Sequence, residues 1–378
     1  MTLAQDEITV LHIGAGRYSC TDRGHSTYRI WRELSRGFKK YIVLGRSLGN
    51  PCTWSDGNIE GILIGSRSQR EAEFLFTQFR ALRIPAAREA QVIVCQSPPL
   101  GGIAAVRLAS RTGARVLLEF HGFEFFAPAR PGSTAWFMQL LTRKVIGRVD
   151  LIRVLSPRMR ELLLELYGDQ VRCPIRVLPP RVDVELFEER RFATTATAAA
   201  PLRLAMVGAV NSNKGQRRLI NALKRTAFDI ELHLIGEGPD LQSIRERPND
   251  PDSRLTVHAH GRLPQDRVAR WLQTMDVFVM YSRTEGTPRA MMEAMAVGLP
   301  VVSTDAGLCS DVFTNGEDGF LLGPDPDSEI LDCLQQFASD PELGRRMGTS
   351  GRARAQRDYD AAKLFPAYRS LIVETANS

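Results

Sequence analysis

The stretch 277–305 restricts what this chain can fold into more than any other. Val277-Phe278-Val279-Met280 is a short apolar run that reads as a buried strand. Ser282 to Thr287 is polar and contains a glycine, so the chain turns there. Pro288 suits the first position of a helix, where its missing N–H costs nothing. The helix runs to about Val297 and is stopped by Gly298 and by Pro300. A second strand follows at once over 300–304. Open parallel sheets are built from such units, and they bind ligands at the carboxyl ends of their strands.

Two glutamates lie in this unit. Glu285 is in the loop at a strand's carboxyl end, and Glu293 is in the helix's second turn. At about 100° per residue, Ala290, Met291, Ala294 and Val297 form the buried stripe. Glu293 falls beside it, on a line with Arg289 and Ala296. The helix's free N–H groups and positive dipole end face the loop and make an anion pocket. A carboxylate accepts charge-assisted hydrogen bonds from a polyol, each worth about 1.5–3 kcal/mol. An anion pocket with two flanking carboxylates fits a ligand that is part phosphate and part sugar. The plainer reading makes Glu285 a helix cap and Arg289–Glu293 a solvated pair. Spacing alone leaves both open.

The run Glu285-Gly286-Thr287-Pro288-Arg289-Ala-Met-Met-Glu293-Ala-Met-Ala-Val-Gly-Leu-Pro-Val-Val-Ser also resembles a long family signature. It is similar to that of retaining, nucleotide-sugar-dependent glycosyltransferases of the GT-B fold. The group it matches is glycosyltransferase family 4 (glycosyl transferases group 1).

The rest of the chain is compatible with that family. With 378 residues it has room for about two domains, each with its own core. The net charge of +6 hides an asymmetry: residues 1–180 carry 25 Lys and Arg against 15 Asp and Glu, and the remainder is mildly acidic. A basic first half points to an anionic partner or to chance surface composition. Nucleic acid is a poor candidate, since no basic–aromatic repeat or recognised module appears. No run of about 18 apolar residues marks a membrane span. Met1 to Glu7 has neither a basic nor an apolar leader region. The six cysteines lack metal-ligand spacing and read as reduced thiols of a cytosolic protein.

Along the first half, strands at 8–13, 41–44, 92–95 and 116–120 alternate with helices from Ser26 or Thr27, over 69–82 and over 101–111. Such alternation implies a doubly wound parallel sheet. Gly14-Ala15-Gly16-Arg17-Tyr18-Ser19 lacks the third glycine of a dinucleotide fingerprint, so a nicotinamide or flavin site is a remote alternative. The strand over 116–120 ends in His121, where ligands bind. Residues 134–148 read as a helix with Trp136, Phe137 and Leu140 on one side and Arg143, Lys144 and Arg148 near its end. That face is either core with cations at the dipole's negative end, or a basic amphipathic surface against a membrane. Phe192 to Pro201 is aperiodic and rich in Ala and Thr, as linkers are. The second half opens with a strand over 202–207, a loop from Gly208 through Lys214 to Gly215, and a helix over 216–224. Asp325-Pro326-Asp327 mimics an acidic metal pair but precedes a helical pattern, so a cap is its better reading.

The resemblance implies an α/β protein with two Rossmann-like doubly wound domains facing a cleft. Residues 1–190 would form the acceptor-side domain, 191–201 the linker and 202–358 the nucleotide-sugar-binding domain. Residues 359–378 would form a last helix crossing back to the first. The implied reaction moves a sugar from a nucleoside diphosphate sugar to a hydroxyl of a glycan, glycolipid or small acceptor, with retention. It would occur in the cytoplasm or on the membrane's inner face. By motif position, Glu285 holds the sugar near its reacting carbon, His121 faces donor sugar and acceptor, and Lys214 reaches the diphosphate. Glu293 holds the ribose, while Gly208, Gly286, Thr287 and Arg289 surround the phosphates. Gly16 belongs to an acceptor-side loop that also approaches them, and Gly261-Arg262 lies where the base is held. No metal and no other cofactor is implied, because cations and a helix terminus can do a metal's work. Three positions depart from the family: Pro179-Pro180-Arg181-Val182-Asp183 alters a turn, Ala209 replaces a frequent arginine, and Pro288 a frequent glycine. The last two motivate an alternative, a degenerate GT-B protein that binds a nucleotide or glycan without turnover.

Overall fold

The computed structural model describes residues 2–18, 26–47, 50–65, 83–126, 129–189, 200–246 and 252–378. The chain divides into two compact units, Met1–Pro179 with Lys363–Ser378, and Pro180–Ala362. The first unit thus ends before residue 190. Val182 pairs in parallel with Asp360, its N–H donates to the Tyr359 carbonyl, and its own carbonyl accepts from Ala361. Those bonds tie 180–189 to the second unit. The linker expected over 191–201 lies, save its last two residues, outside the described residues, as does the helix expected over 69–82.

The first unit carries β1 (Thr9–Tyr18), β2 (Lys40–Ser47), β3 (Cys52–Asp56), β4 (Ile59–Gly65), β5 (Val92–Cys95), β6 (Arg115–Glu119), β7 (Leu151–Val154) and β8 (Ile175–Val177). Their order in the sheet is β3-β4-β2-β1-β5-β6-β7-β8. All neighbours are parallel except β3, which returns antiparallel on β4. The sequence reading has no counterpart to that hairpin. Its mark is Gly57-Asn58, a two-residue turn with Gly57 at φ 59°. One face of the sheet is covered by Tyr28, Trp31 and Leu34 of the helix Ser26–Ser35, and by Tyr368, Leu371 and Ile372 of the helix Ala361–Ala376. The last helix therefore belongs to the first unit's core.

A loop is expected after Ile13, but β1 runs on to Tyr18 with a slip in register between Ile13 and Arg17. The Tyr18 ring stands edge-on to Trp31 at 4.8 Å and lies over Gly14, Gly16 and Gly45. A Cβ on Gly14 would sit 2.6 Å from the Tyr18 hydroxyl. These glycines make room for a ring. Gly16 is accordingly a strand residue whose N–H donates to the Tyr18 hydroxyl at 3.3 Å, which corrects its placement in a loop.

The second unit carries β9 (Leu202–Val207), β10 (Ile230–Ile235), β11 (Leu255–Gly261), β12 (Val277–Met280), β13 (Val301–Thr304) and β14 (Gly319–Leu322), all parallel, in the order β11-β10-β9-β12-β13-β14. The chain starts at β9, builds outward to β11, then crosses to β12 and builds the other way. Direction reverses between β9 and β12, the position at which doubly wound sheets open a crevice. The helix Arg289–Val297 follows Pro288, which is its N-cap and not its first residue, and it ends at Gly298, φ 92°. Its buried band is broader than the expected stripe, because the helix Pro341–Arg354 covers its second side. Gly348 there lies so close to the Gly298 carbonyl that a Cβ would overlap it. Arg289 is exposed, whereas Glu293 and Ala290, the latter expected in the buried stripe, are partly buried.

Candidate active site

The loops after β9 and β12 meet at the reversal point. Asn213 laces them together. Its amide nitrogen donates to the Thr284 carbonyl at 3.0 Å, and its side-chain oxygen accepts from the Thr284 N–H and hydroxyl at 3.2 and 2.8 Å. Its own carbonyl accepts from Arg283 at 2.8 Å. Gly215, at φ 77°, brings the first loop against the Tyr281 carbonyl, where a Cβ would overlap. Lys214 is thereby carried across to Glu285, its ammonium 2.5 Å from Oε1. The Ser282 hydroxyl donates to the same oxygen at 2.6 Å. Glu285 keeps 5% of its side chain exposed and Lys214 26%, so the cation is the accessible member of the pair. Glu285 is therefore no helix cap.

Gly286 and Thr287 are half-buried beside this pair, and Arg289 is exposed at the helix start. The Thr287 carbonyl accepts the Arg289 N–H at 2.9 Å, so that amide is turned inward. Glu293 accepts from the Gln265 amide at 3.0 Å. Burial raises its pKa, opposed by Arg289 and by that hydrogen bond, so Glu293 is no solvated surface group.

Of the cations that could replace an arginine at Ala209, Arg217 turns to Asp240 at 3.4 Å and to the Ser243 hydroxyl. Arg289 remains at the helix start, and the Arg17 side chain lies outside what is described. Ala209 itself is exposed, and its carbonyl accepts from the buried Gln216 at 2.8 Å. Gly208, φ 152°, lies alongside the Lys214 stem, and the Gly236 backbone packs against its carbonyl. Arg262 is exposed just past β11, after Gly261 at φ 82°.

His121 lies in the first unit, at the carboxyl end of β6, with its Nε2 3.1 Å from Glu119 Oε2. Glu119 is fully buried, and its other oxygen accepts from the buried Arg153 at 2.8 Å. Arg153 also donates to the carbonyls of Leu178 and Pro179 and lies 5.0 Å over the Tyr368 ring. Burial alone would raise the Glu119 pKa, but Arg153 and His121 outweigh it and hold the carboxyl well below its ordinary range. Sequence reasoning missed Glu119 and Arg153. The available signal was a charged residue inside each of two otherwise apolar strands, and the two are directly paired in register.

The acidic pair is engaged elsewhere. Asp327 accepts from Arg218 at 2.7 Å and from the Tyr281 hydroxyl. Asp325 holds the N-cap position of the helix Pro326–Ser339, but its side chain takes the Ser328 hydroxyl instead of a backbone N–H. Cys95, Cys173, Cys309 and Cys333 are free, whereas Cys52 is disulfide-bonded, contrary to the expectation of six reduced thiols.

On the helix Thr134–Ile146, Thr142, Val145 and Ile146 are buried, while Trp136, Phe137 and Leu140 are 40, 51 and 37% exposed. The apolar face is thus not core along its first half. No helix among the described residues is long and apolar enough to cross a membrane.

Residues 188–354 match the family model of glycosyl transferases group 1, and 41–181 match the glycosyl transferase 4-like domain. The chain is 25% identical over 327 residues to the MMP alpha-(1->4)-mannosyltransferase of Mycolicibacterium hassiacum, covering 79% of this chain and 75% of that one. It is 27% identical over 271 residues to a GDP-mannose-dependent alpha-(1-6)-phosphatidylinositol monomannoside mannosyltransferase of Mycolicibacterium smegmatis, covering 65% and 66%. Its fold superposes on sucrose-phosphate synthase from Thermosynechococcus elongatus with a TM-score of 0.79 over 97% of this chain and 100% of that one, at 18% identity. With both halves matched and two parallel α/β units in place, the chain belongs to the group 1 glycosyl transferases, glycosyltransferase family 4, and has the GT-B fold.

Proposed function

We propose that this glycosyltransferase moves a sugar from a nucleoside diphosphate sugar to a hydroxyl of a glycan or lipid-linked acceptor, with the anomeric configuration retained. The Lys214–Glu285 pair at the reversal of strand order carries this reading. A cation and a carboxylate in one crevice suit the two ends of such a donor. The diphosphate gains negative charge as the glycosidic bond breaks, and preorganised positive groups stabilise charge that develops in the transition state. Lys214 would leave Glu285 for the diphosphate, with Arg289 at the helix start beside it. Glu285 would then accept from sugar hydroxyls, and Glu293 from the ribose. His121, fixed by Glu119, would serve the acceptor side from the first unit.

The relatives support an α-linked product. Both mannosyltransferases are named for alpha linkages, and one is named for GDP-mannose and phosphatidylinositol monomannoside. Cell-surface polysaccharide or glycoconjugate synthesis on the inner face of the membrane fits that chemistry. Transfer needs no metal ion in this scheme, and activity should survive EDTA; a strict Mg²⁺ or Mn²⁺ requirement would overturn this point.

The test is a thermal-shift screen of nucleoside diphosphate sugars, GDP-mannose included, followed by product analysis with the donor that stabilises most. Transfer with an α-configured product supports the proposal. Binding with neither transfer nor donor hydrolysis would favour the degenerate, binding-only reading that Ala209 and Pro288 motivate.

A further inference from the structure

Three of the chain's six histidines meet on one face of the outer strands β10 and β11, apart from the Lys214–Glu285 pair. Two facts of register bring them there. His233 on β10 pairs directly with His258 on β11, and alternation puts Glu231 and His260 on that same face. The opposite face holds Leu232 and Leu234, which are core, so the histidines are not there to fill the interior. The His233 ring centroid lies 4.6 Å from that of His258 and 5.3 Å from that of His260, and the latter two are 6.3 Å apart, so the three rings form a triangle. Trp271, from the helix Gln265–Leu272, stands edge-on to His233 and His260 at 5.8 and 5.7 Å.

From this arrangement we infer a binding site for a transition-metal dication of the zinc class, ligated by Glu231, His233 and His258. One ligand atom from each of the three lies within 4.8 Å of the others. A tetrahedral zinc with ligands at about 2.0–2.1 Å needs those atoms closer, a shift that half-exposed side chains can make. His233 shows how the site is oriented. One ring nitrogen, Nδ1, is 3.0 Å from His260 Nε2, and the other, Nε2, faces Glu231 Oε2 at 3.4 Å. When Nδ1–H donates to His260, the Nε2 lone pair and the carboxylate face each other, and a cation between them satisfies both. His260 is then the outer partner that fixes the ligand's tautomer, the usual arrangement for a metal-bound imidazole. Two imidazoles and one carboxylate suit zinc over magnesium, which takes oxygen ligands and keeps its waters. The bound ion would fasten edge strand β11 to β10 just before Gly261-Arg262. It would take no part in the transfer step.

The experiment is calorimetric titration of the tag-free, EDTA-stripped full chain with Zn²⁺ and separately with Mg²⁺. Co²⁺ substitution supplies a visible-band readout of tetrahedral geometry. One equivalent of Zn²⁺ should bind with micromolar affinity or better and raise the melting temperature, and Mg²⁺ should do neither. His258→Gln and Glu231→Gln should each abolish tight binding. His260→Ala should weaken it by about 10–100-fold, as loss of an outer partner does. These side chains are at least partly accessible, so the metal-free variants should melt as the parent does. If His233→Gln fails to fold, the Glu231 and His258 variants still decide the matter. Binding only at millimolar Zn²⁺, or tight binding unchanged in the Glu231 and His258 variants, would overturn the site and leave the cluster as ring packing.

Discussion

The Lys214 ammonium lies 2.5 Å from Oε1 of Glu285, so the two residues at the reversal of strand order hold one another. Each comes from a different loop, and Asn213 locks the loops together. Ser282 supplies a second donor to Glu285 and would keep its carboxylate aimed if Lys214 turned away to a donor. In the proposed scheme the cation would meet the diphosphate and the carboxylate the sugar.

Glu285→Gln preserves the shape but removes the charge. Turnover should fall at least about tenfold, roughly 1.4 kcal/mol of transition-state stabilisation. Glu293→Ala should act on donor binding instead, raising KM more than it lowers kcat. Steady-state kinetics on the best donor separates the two. A Glu285→Gln enzyme with parental kcat would refute the assignment of the sugar end.

The buried pair Glu119–Arg153 predicts an acid-sensitive first unit. The Glu119 carboxyl titrates well below its ordinary value of 4.5 in the folded chain, so its stabilisation is fully present above about 4.5. That stability is lost as pH falls through the lowered folded value. Glu119→Gln should flatten the loss measured by denaturant unfolding below pH 4.5. At neutral pH it should cost about 3–5 kcal/mol, because Arg153 is left buried without its carboxylate. Replacing both by leucine should cost less than either single change. An additive double variant would show that the pair is not coupled.

Much of this was legible in the sequence, for physical reasons that differ by element. Strands β5 and β12 coincide with their apolar runs, since a strand buried on both faces carries no polar punctuation. The glycines after Ile13 misled because a glycine spaced for a loop and one making room for Tyr18 look alike in one dimension. The β3–β4 hairpin alternates over Cys52-Thr53-Trp54-Ser55-Asp56, a half-exposed edge pattern that a search for apolar runs passes over. At the site, the motif carries Lys214, Glu285 and Glu293, but their mutual contacts depend on how far apart in space two loops end. Asn213 and Gln265, which set those contacts, have no signature of their own.

Trp136, Phe137 and Leu140 lie exposed on a helix whose end carries the exposed Lys144, with Arg148 just beyond. A membrane with anionic lipid is the expected partner, the rings entering the headgroup region and the cations meeting phosphate. Co-sedimentation with anionic vesicles should weaken steeply between low and physiological salt. Trp136→Ser with Phe137→Ser should abolish it. Equal recovery on neutral and anionic vesicles would leave this surface without a lipid role.

The last prediction concerns Lys214 and the alanine at 209. Arg217 is committed to Asp240, so within the loop after β9 Lys214 is the cation placed in the crevice. A diphosphate in a low-dielectric site without its counter-charge is costly, and a single lysine bears more of that load than one of two. Lys214→Ala should reduce kcat/KM by on the order of a hundredfold or more, close to 3 kcal/mol. The same change strips Glu285 of a partner while it stays buried, so part of the loss should appear as a lower melting temperature in the absence of donor. Ala209→Arg should partly rescue transfer in the Lys214→Ala background. Ala209 is exposed and its carbonyl alone is engaged, by Gln216, so a longer side chain has room. Rescue of transfer without rescue of the melting temperature would separate the phosphate contact from the Glu285 contact. Near-parental kinetics in Lys214→Ala would place the phosphate contact on another cation, Arg289 at the helix start, and overturn the role proposed for Lys214.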